Sequence, residues 1–474
     1  MTPLFGKFGE FSFYALNNAE QPCPIGLPSD SFVKDGQNLS SFLQTVTTRH
    51  LLALTTGKEI RIDDSAIRRL LTIAADTRAG IVYSDYFTNK ENKLIPRPLI
   101  DYQPGSIRND FHFGPVLLFA TRAIKAVLKK YGTLPADSAL AFYDLRLKIS
   151  LDYSIFHIPE FLYSVVAKEE AEAKDNSKQE EAHFAYLASR NADRQKKLEK
   201  IATAYLKLAG AYLPPRTKKA GPVNVSFPVQ TSVIIPVYNR KKTITDALQS
   251  ALTQKTTFAF NIIVVDNHST DGTTQIIKKL AARYRQIQHL IPCRRDLSIG
   301  GCWNEAIYSS CCGQYAVQLD SDDLYSAPDT LQNIADIFAD GDYAMVVGSY
   351  TIVNEQLQKI PPGLIDHREW TSGNGHNNAL RINGLGAPRA FNTAILRQIG
   401  FPNVGYGEDY AVTLRISRKY KIGRIYSSIY LCRRWPDNTD AVLSLEKQNR
   451  YDFYKDKLRT AEISARQIMN KKGG

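Results

Sequence analysis

The chain is poor in the features that would fix a protein by metal cluster, cross-link or membrane. Its 474 residues include six cysteines, Cys23, Cys293, Cys302, Cys311, Cys312 and Cys432, and no two form a C-x-x-C pair. That spacing argues against a zinc site. It leaves reduced thiols, with Cys311 and Cys312 read as small buried side chains where a helix packs on a sheet. No run approaches the ~18–20 apolar residues that a bilayer span needs. The stretch Met1 to Glu10 lacks the continuous apolar core of a signal peptide. The expectation is a soluble, cytoplasmic protein. No helix-turn-helix, RNP-type or zinc-finger pattern is present, so nucleic acid is not an expected partner. Acid is the minority charge: 47 Asp and Glu stand against 60 Lys and Arg, a net of +13. Such a balance suits an anionic membrane surface, a phosphate-bearing lipid or a nucleotide diphosphate. It equally serves plain solubility.

What is present is a core and an ordered series of strand ends. A hydrophobic content of 43% supports folded domains. The length allows two or three of them. Residues 1–168 read as mixed α/β. Residues 169–225 open on the charge run Lys168 to Asp175. They continue with Leu198, Ile201, Tyr205, Leu208 and Tyr212 at helical spacing and close on a Pro/Lys-rich stretch, Leu213 to Pro222. That is an amphipathic helix and a linker. A third region spans 226–440, with a charged helical tail over 441–474.

Within the third region, Thr231-Ser-Val-Ile-Ile-Pro236 and Asn261-Ile-Ile-Val-Val265 have the composition of buried parallel strands. Between them Ile244, Ala247, Leu248 and Ala251 mark a helix. Ser269 or Thr270 can cap a helix starting near Gly272. Tyr315-Ala-Val-Gln-Leu319 is a later strand. Alternation of this kind builds an open α/β sheet that binds ligands at the carboxyl ends of its strands. Asn239, Asp266 and Asp320 all stand at such ends. An acidic cluster alone is usually a solvated loop, and a strand-end aspartate can simply close a turn. Three in series, followed by Glu408-Asp409, point to chemistry.

These segments resemble the inverting glycosyltransferases of family two. The resemblance implies a GT-A fold: a Rossmann-like, mostly parallel α/β catalytic domain, here preceded by a truncated GT-A-like α/β domain and a helical linker. By the same resemblance Pro236, Tyr238 and Asn239 support the base of a sugar nucleotide and Asp266 accepts a hydrogen bond from it. Asn267 and His268 depart from the usual Asp-Asp-Gly-Ser. Asp320-Ser321-Asp322 matches D-x-D: Asp320 addresses the nucleotide sugar, and Asp320 with Asp322 holds Mn²⁺ or Mg²⁺. Asp409 becomes the general base and Glu408 its neighbour. Arg433-Arg434-Trp435 resembles an R-W element, with Arg434 toward the diphosphate. Asn304, Arg294 and Arg295 lie on the approach to that pocket. His367 to Arg389 reads as an acceptor loop. No histidine follows His376, so the histidine that completes the metal shell in some relatives is absent.

The expected activity is metal-dependent inverting transfer of a hexosyl or N-acetylhexosaminyl unit from a UDP-sugar to a hydroxyl of a glycan or lipid-linked acceptor. It would serve cell-surface glycan or polysaccharide synthesis, with peripheral contact at the inner membrane face. Two rivals are a nucleotidyltransferase and an inactive sugar-nucleotide-binding or scaffold protein. Asn239-Arg-Lys-Lys-Thr243 is not the glycine-rich loop the first would want. Intact acids argue against the second.

The first region reads as a degenerate copy of the third. His50–Tyr83 slides onto Gln314–Val347 without a gap, bringing Tyr86 onto Tyr350. Phe142–Tyr163 falls on Asp409–Tyr430, with identities at Tyr143, Leu147, Ile149, Tyr153, Ile155 and Tyr163 among others. Gly114, Phe119 and Thr121 match Gly386, Phe391 and Thr393. Repeats on this scale imply one framework used twice. In the copy, Thr56-Gly57-Lys58 replaces the D-x-D and Ala141-Phe142 replaces Glu408-Asp409. The strand–helix units that would hold a nucleotide are missing or reduced, so residues 1–168 are expected to be non-catalytic.

Overall fold

The computed structural model describes residues 5–8, 11–16, 39–56, 58–91, 93–166, 192–215, 218–221, 225–434 and 443–472. Cys23, Gly36, Gly57, the run Lys168 to Asp175, Pro222 and Trp435 fall outside them. The chain forms two compact units: Met1–Asp175 with Asp193–Tyr212 and Leu443–Gly474, and Leu213–Val442 with Asn176–Ala192.

The first unit contains β1 (Phe5–Phe8), β2 (Phe11–Leu16), β3 (His50–Leu54), β4 (Ile60–Ile62), β5 (Ile81–Lys90), β6 (Lys93–Arg97), β7 (Val116–Ala120) and β8 (Ile155–Val166). Their order is β1-β2-β3-β7-β5-β8-β4, with β6 on β5. Alternate residues face opposite sides of the sheet. Leu51 and Ala53 therefore enter one core with Ile81, Tyr83, Leu117 and Phe119. Leu52 and Leu54 enter another with Val82, Val116 and Leu118.

The second unit contains β9 (Thr231–Val237), β10 (Phe260–Asp266), β11 (Ile287–Leu290), β12 (Tyr315–Gln318), β13 (Leu324–Tyr325), β14 (Met345–Val353), β15 (Lys359–Ile365), β16 (Arg389–Asn392) and β17 (Ile422–Arg433). The order is β11-β10-β9-β12-β16-β14-β17-β13, with β15 on β14. The β11-β10-β9-β12 half is parallel throughout. Beyond β12 the sheet is mixed, since β16 runs antiparallel to both β12 and β14. The parallel pairing expected of most of the sheet is concentrated in the half that carries the strand ends. Val233, Ile235, Ile262 and Val264 pack on one face and Ile234, Ile263 and Val265 on the other. Covering both faces is why these strands read as unbroken apolar runs. Each such side chain contributes about 1.5–3 kcal/mol on burial. The helix Ile244–Leu252 buries Ile244, Ala247, Leu248 and Ala251, the set marked by the sequence spacing.

From β3 onward the first unit repeats the second pairing by pairing. The sequence β3-β7-β5-β8-β4 reproduces β12-β16-β14-β17-β13 with the same strand directions. Tyr86 pairs with Tyr163 as Tyr350 pairs with Tyr430, and both strand pairs shift register just before that point. Where the second unit continues into β9, β10 and β11, the first carries the antiparallel hairpin β1-β2. Two corrections follow. His50 stands opposite Ala120 as Tyr315 stands opposite Asn392, so the gap-free slide is one residue out across β3. Thr55, not Thr56, falls at Asp320. The turn that follows is longer than Asp320–Leu324, so no residue matches Asp322 one for one.

The expected linker helix and charged tail are not separate segments. Ala192–Leu208 and Leu445–Lys472 both belong to the first unit. In the second of these helices the charges are buried: Asp456, Arg459 and Arg466 are fully covered. Asp456 accepts from Ser106 Oγ at 2.8 Å and pairs with Arg459 at 2.7 Å. Thr460 Oγ1 accepts from the Gly105 N–H at 2.9 Å. Paired and hydrogen-bonded charges can be buried where single ones cannot, which is why this helix lacked an apolar stripe in the sequence.

Candidate active site

The parallel strands of the second unit end on three linked loops. Asn239, just after β9, adopts φ +52° and binds the loop after β10 twice. Its N–H donates to Ser269 Oγ at 3.0 Å and its Oδ1 accepts from the Thr270 N–H at 2.8 Å. Asparagine tolerates the left-handed region better than most residues. Pro236 lies within β9, and Tyr238 beside it is 57% exposed, a free ring at the rim. The helix that follows is capped differently from expectation. Ser269 and Thr270 are taken by Asn239 and Asp266, and Asp271 Oδ1 instead accepts from the Thr273 N–H at 2.9 Å.

Asp266 is fully buried. Oδ1 accepts from the Ser269 N–H at 3.0 Å, and Oδ2 from Thr274 Oγ1 at 2.5 Å, with His289 Nε2 at 3.4 Å. Burial raises its pKa, but the hydrogen bonds from His289, Thr274 and Ser269 outweigh that and hold the carboxyl well below the usual range. Asp266 thus organises the loop from within. Its neighbour Asn267 holds a buried acceptor. Asn267 Nδ2 donates to Leu297 O at 2.8 Å, which fixes the amide, and its buried Oδ1 has no partner. A buried acceptor without a donor costs about 1–3 kcal/mol. Sequence reading treated Asn267 as a departure from pattern. The lone oxygen becomes visible only once Leu297 is seen to hold the amide.

Beyond β12 the carboxylates gather. Asp320 takes both its hydrogen bonds from Gln318 Nε2, at 3.0 and 2.9 Å, and its N–H donates to Tyr430 Oη at 3.0 Å. Burial lifts its carboxyl above the usual range against the pull of Gln318 and Arg389. Asp323 is buried, accepts from the Arg433 N–H at 2.8 Å, and is pushed up further by burial and by Asp320 and Asp322. Asp322 lies 3.5 Å from Arg240. Arg433 Nε donates to Asp322 O, and its Nη1 pairs with Asp246 at 2.8 Å. Glu408 and Asp409 open the helix Glu408–Ser417 behind Gly407, at φ +79°. Asp409 pairs with Arg389 at 2.8 Å, and its Oδ1 accepts from the Tyr410 N–H. Glu408 is buried, and burial together with Asp409 raises its pKa to about 8.

Arg389 is the central cation that the sequence left inside a loop. It sits on β16, donates to Gly386 O at 2.9 Å, and is stabilised in its charged form by Asp409, Asp320 and Glu408. Asn304 is corrected in the opposite direction. Its amide donates to Phe401 O at 2.9 Å and accepts from the Phe401 N–H at 2.8 Å. Both ends are committed to the backbone ahead of Glu408, a positioning role rather than ligand contact. Arg294 is paired with Asp296 on the surface. Arg434 is half-buried after β17, with its N–H on Val353 O at 2.8 Å.

The turn after β12 brings two carboxylates close together, Asp320 held by Gln318 and Asp322 facing Arg240. Burial, with the neighbouring carboxylates, holds Asp320 and Asp323 above the usual range, and a cation beside them would favour their ionised forms. Among the described residues no group of three His, Cys, Asp or Glu could hold a metal ion. Two carboxylates with the rest of the shell from phosphate oxygens and water is the usual arrangement for Mg²⁺ beside a diphosphate. Among the described residues no helix is long and apolar enough to cross a membrane.

Residues 232–400 match the family described as "Glycosyl transferase family 2". Over 298 residues the chain is 27% identical to an uncharacterized glycosyltransferase of Rickettsia felis, covering 60% of this chain and 48% of the relative. A putative glycosyltransferase of Bacillus subtilis, EpsE, is 30% identical over 27% of this chain and 45% of its own length. The chondroitin synthase of Escherichia coli is 34% identical over 23% of this chain and 15% of its own length. The chain spans less than half the length of these curated relatives. Among solved structures, S. aureus TarS 1-349 in complex with UDP-GlcNAc aligns with TM-score 0.40 and 23% identity, over 49% of this chain and 66% of that one.

Proposed function

We propose, from the premise that this chain belongs to glycosyltransferase family 2 through residues 232–400, that its second unit transfers a sugar from a UDP-sugar to an acceptor hydroxyl with inversion, assisted by Mn²⁺ or Mg²⁺. The observation that carries this reading is the cluster of Asp320, at the end of β12, with Glu408 and Asp409, at the start of a helix, around Arg389. Tyr238 would cover the base, over the loop that Asp266 organises from within. Asp320 and Asp322 would hold the cation, which when bound offsets charge on the departing diphosphate.

Asp409 would take the acceptor proton as the oxygen attacks the anomeric carbon. Arg389 fixes the direction of that carboxylate, and Glu408, protonated at neutral pH, keeps a second negative charge away from it. The nucleophile and the leaving diphosphate then sit on opposite faces of the sugar, the requirement for single displacement. The E. coli relative, a chondroitin synthase by name, supports a place in polysaccharide or cell-surface glycan synthesis. The net charge of +13 supports an enzyme working near anionic lipid or a lipid-linked acceptor.

A screen of nucleotide sugars by melting temperature, with and without Mn²⁺, tests the donor. A UDP-sugar at a hundredfold excess over Kd should stabilise by about 2.7 kcal/mol, only with metal, and should then be consumed on adding acceptor. Equal stabilisation in EDTA, or none by any UDP-sugar, would refute it.

A further inference from the structure

The first unit has lost the acids but kept a cavity. It has a volume of about 450 Å³, within the usual ~300–1,000 Å³ of small-molecule sites. It lies at the strand ends equivalent to the carboxylate cluster of the second unit. Gly114, at φ +71°, lines it where Gly386, at φ +105°, serves the other unit. A Cβ on Gly114 would come within 2.5 Å of Tyr163 Oη, so the close approach is built in. Leu117 pairs with Tyr83 as Arg389 pairs with Val347, so an aliphatic residue replaces the central arginine.

Among the described residues no carboxylate lines this cavity. The polar groups are the hydroxyls of Thr55, Thr56 and Thr88, His112 and the exposed Lys58. Arg97 binds Thr88 Oγ1 at 3.0 Å, adding a second cation beside it. The walls are aromatic. Tyr86 stacks on Tyr163 at 5.4 Å and on His112 at 6.1 Å, and Phe142 stands at the position of Asp409. The Gly114 N–H donates to His112 Nδ1 at 3.2 Å, which leaves Nε2–H as the donor of the neutral ring. Aromatic faces, hydroxyls and a fixed N–H donor suit a sugar ring. Lys58 and Arg97, with no acid opposite, suit a negative group on that ring and disfavour a metal ion.

We infer that this cavity is a metal-independent, non-catalytic binding site for a saccharide unit that carries an anionic group, phosphate or carboxylate. The site is distinct from the donor site of the second unit, and its binding does not depend on the transfer reading.

Ligand-observed NMR titration of the full chain in EDTA tests it, with glucose, glucose 6-phosphate and glucuronate as probes. The anionic sugars should bind at least tenfold more tightly than glucose, and the stronger of the two identifies the anion. Asp322→Asn should leave that preference intact. Lys58→Glu should reduce it at least tenfold, and His112→Ala should weaken all three probes together. An absence of preference for the anionic sugars would overturn the inference. So would a preference that survives Lys58→Glu, or one that Asp322→Asn abolishes. The last result would place the ligand in the second unit. Failure of UDP-sugar turnover would bear on the second unit alone.

Discussion

The two units are built on one strand framework and differ in what stands at its ends. Where the second places Asp320 and Arg389 on and after its strands, the first places Thr55 and Leu117; where the second opens a helix with Glu408-Asp409, the first carries Ala141-Phe142 in the helix Ser138–Asp152. Where the second extends into three parallel strands, the first turns back in a hairpin. The framework is held by apolar faces and backbone pairing, which tolerate these exchanges. Chemistry needs particular carboxylates and cannot. The shared half of the framework is thus kept while the residues at its ends differ.

The largest effect should come from the residue with no counterpart in the first unit. Asp322→Asn should lower turnover roughly 10³-fold, the several kcal/mol a cation supplies to a leaving diphosphate. It should also remove the metal-dependent part of UDP affinity, as calorimetry would show. Full activity in EDTA would equate the two units in this respect. Next, Asp409→Asn should cost about 10²-fold in kcat with donor affinity nearly unchanged. Collapse of donor binding with kcat intact would instead make Asp409 a binding group.

Exchanging the central pair sharpens the comparison on stability. Arg389→Leu, the first unit's choice, leaves Asp409 without its partner. It should cost about 2 kcal/mol, the scale of a charge-assisted hydrogen bond in a partly buried pair, in denaturant unfolding. Arg389→Leu with Asp409→Phe, which completes the first unit's arrangement, should cost less than the single change. Additive losses would show that the two residues do not act together.

The smallest effect is a pH dependence. Glu408 has a folded pKa near 8, against an ordinary 4.5, through burial and Asp409. The folded state therefore holds the extra proton between those values. In metal-free protein, stability is greatest below about pH 4.5 from this group and falls as pH rises toward 8. Asp320 and Asp323, raised by burial, act in the same direction. Glu408→Gln should reduce, but not abolish, the fall in melting temperature between pH 6 and 8. An unchanged slope would mean Glu408 is ionised in the folded protein.

Much of this was legible in the sequence because the second unit's strands are covered on both faces and read as apolar runs ending in polar residues. Asp320 stood out for the same reason, and Glu408 and Asp409 through the resemblance to the family's E-D pair. The repeat was legible from Tyr86, Tyr143 and Tyr163, although the residue-by-residue slide failed at β3, where a shifted strand and a longer turn compensate. Asn267, Arg389 and Asn304 were misjudged because their roles depend on partners far away in sequence: Leu297, Asp409 and Phe401. The buried charges of the helix Leu445–Lys472 masked it as a tail, since ion pairs leave no hydrophobic period.

The asymmetry between the units is tested most directly by the stoichiometry of Mn²⁺-dependent UDP binding to the full chain in a calorimetric titration. One UDP per chain is predicted, abolished by Asp320→Ala with Asp322→Ala and unaffected by Lys58→Glu. Two metal-dependent UDP sites per chain, or one that survives loss of both aspartates, would contradict the assignment of one catalytic and one non-catalytic unit.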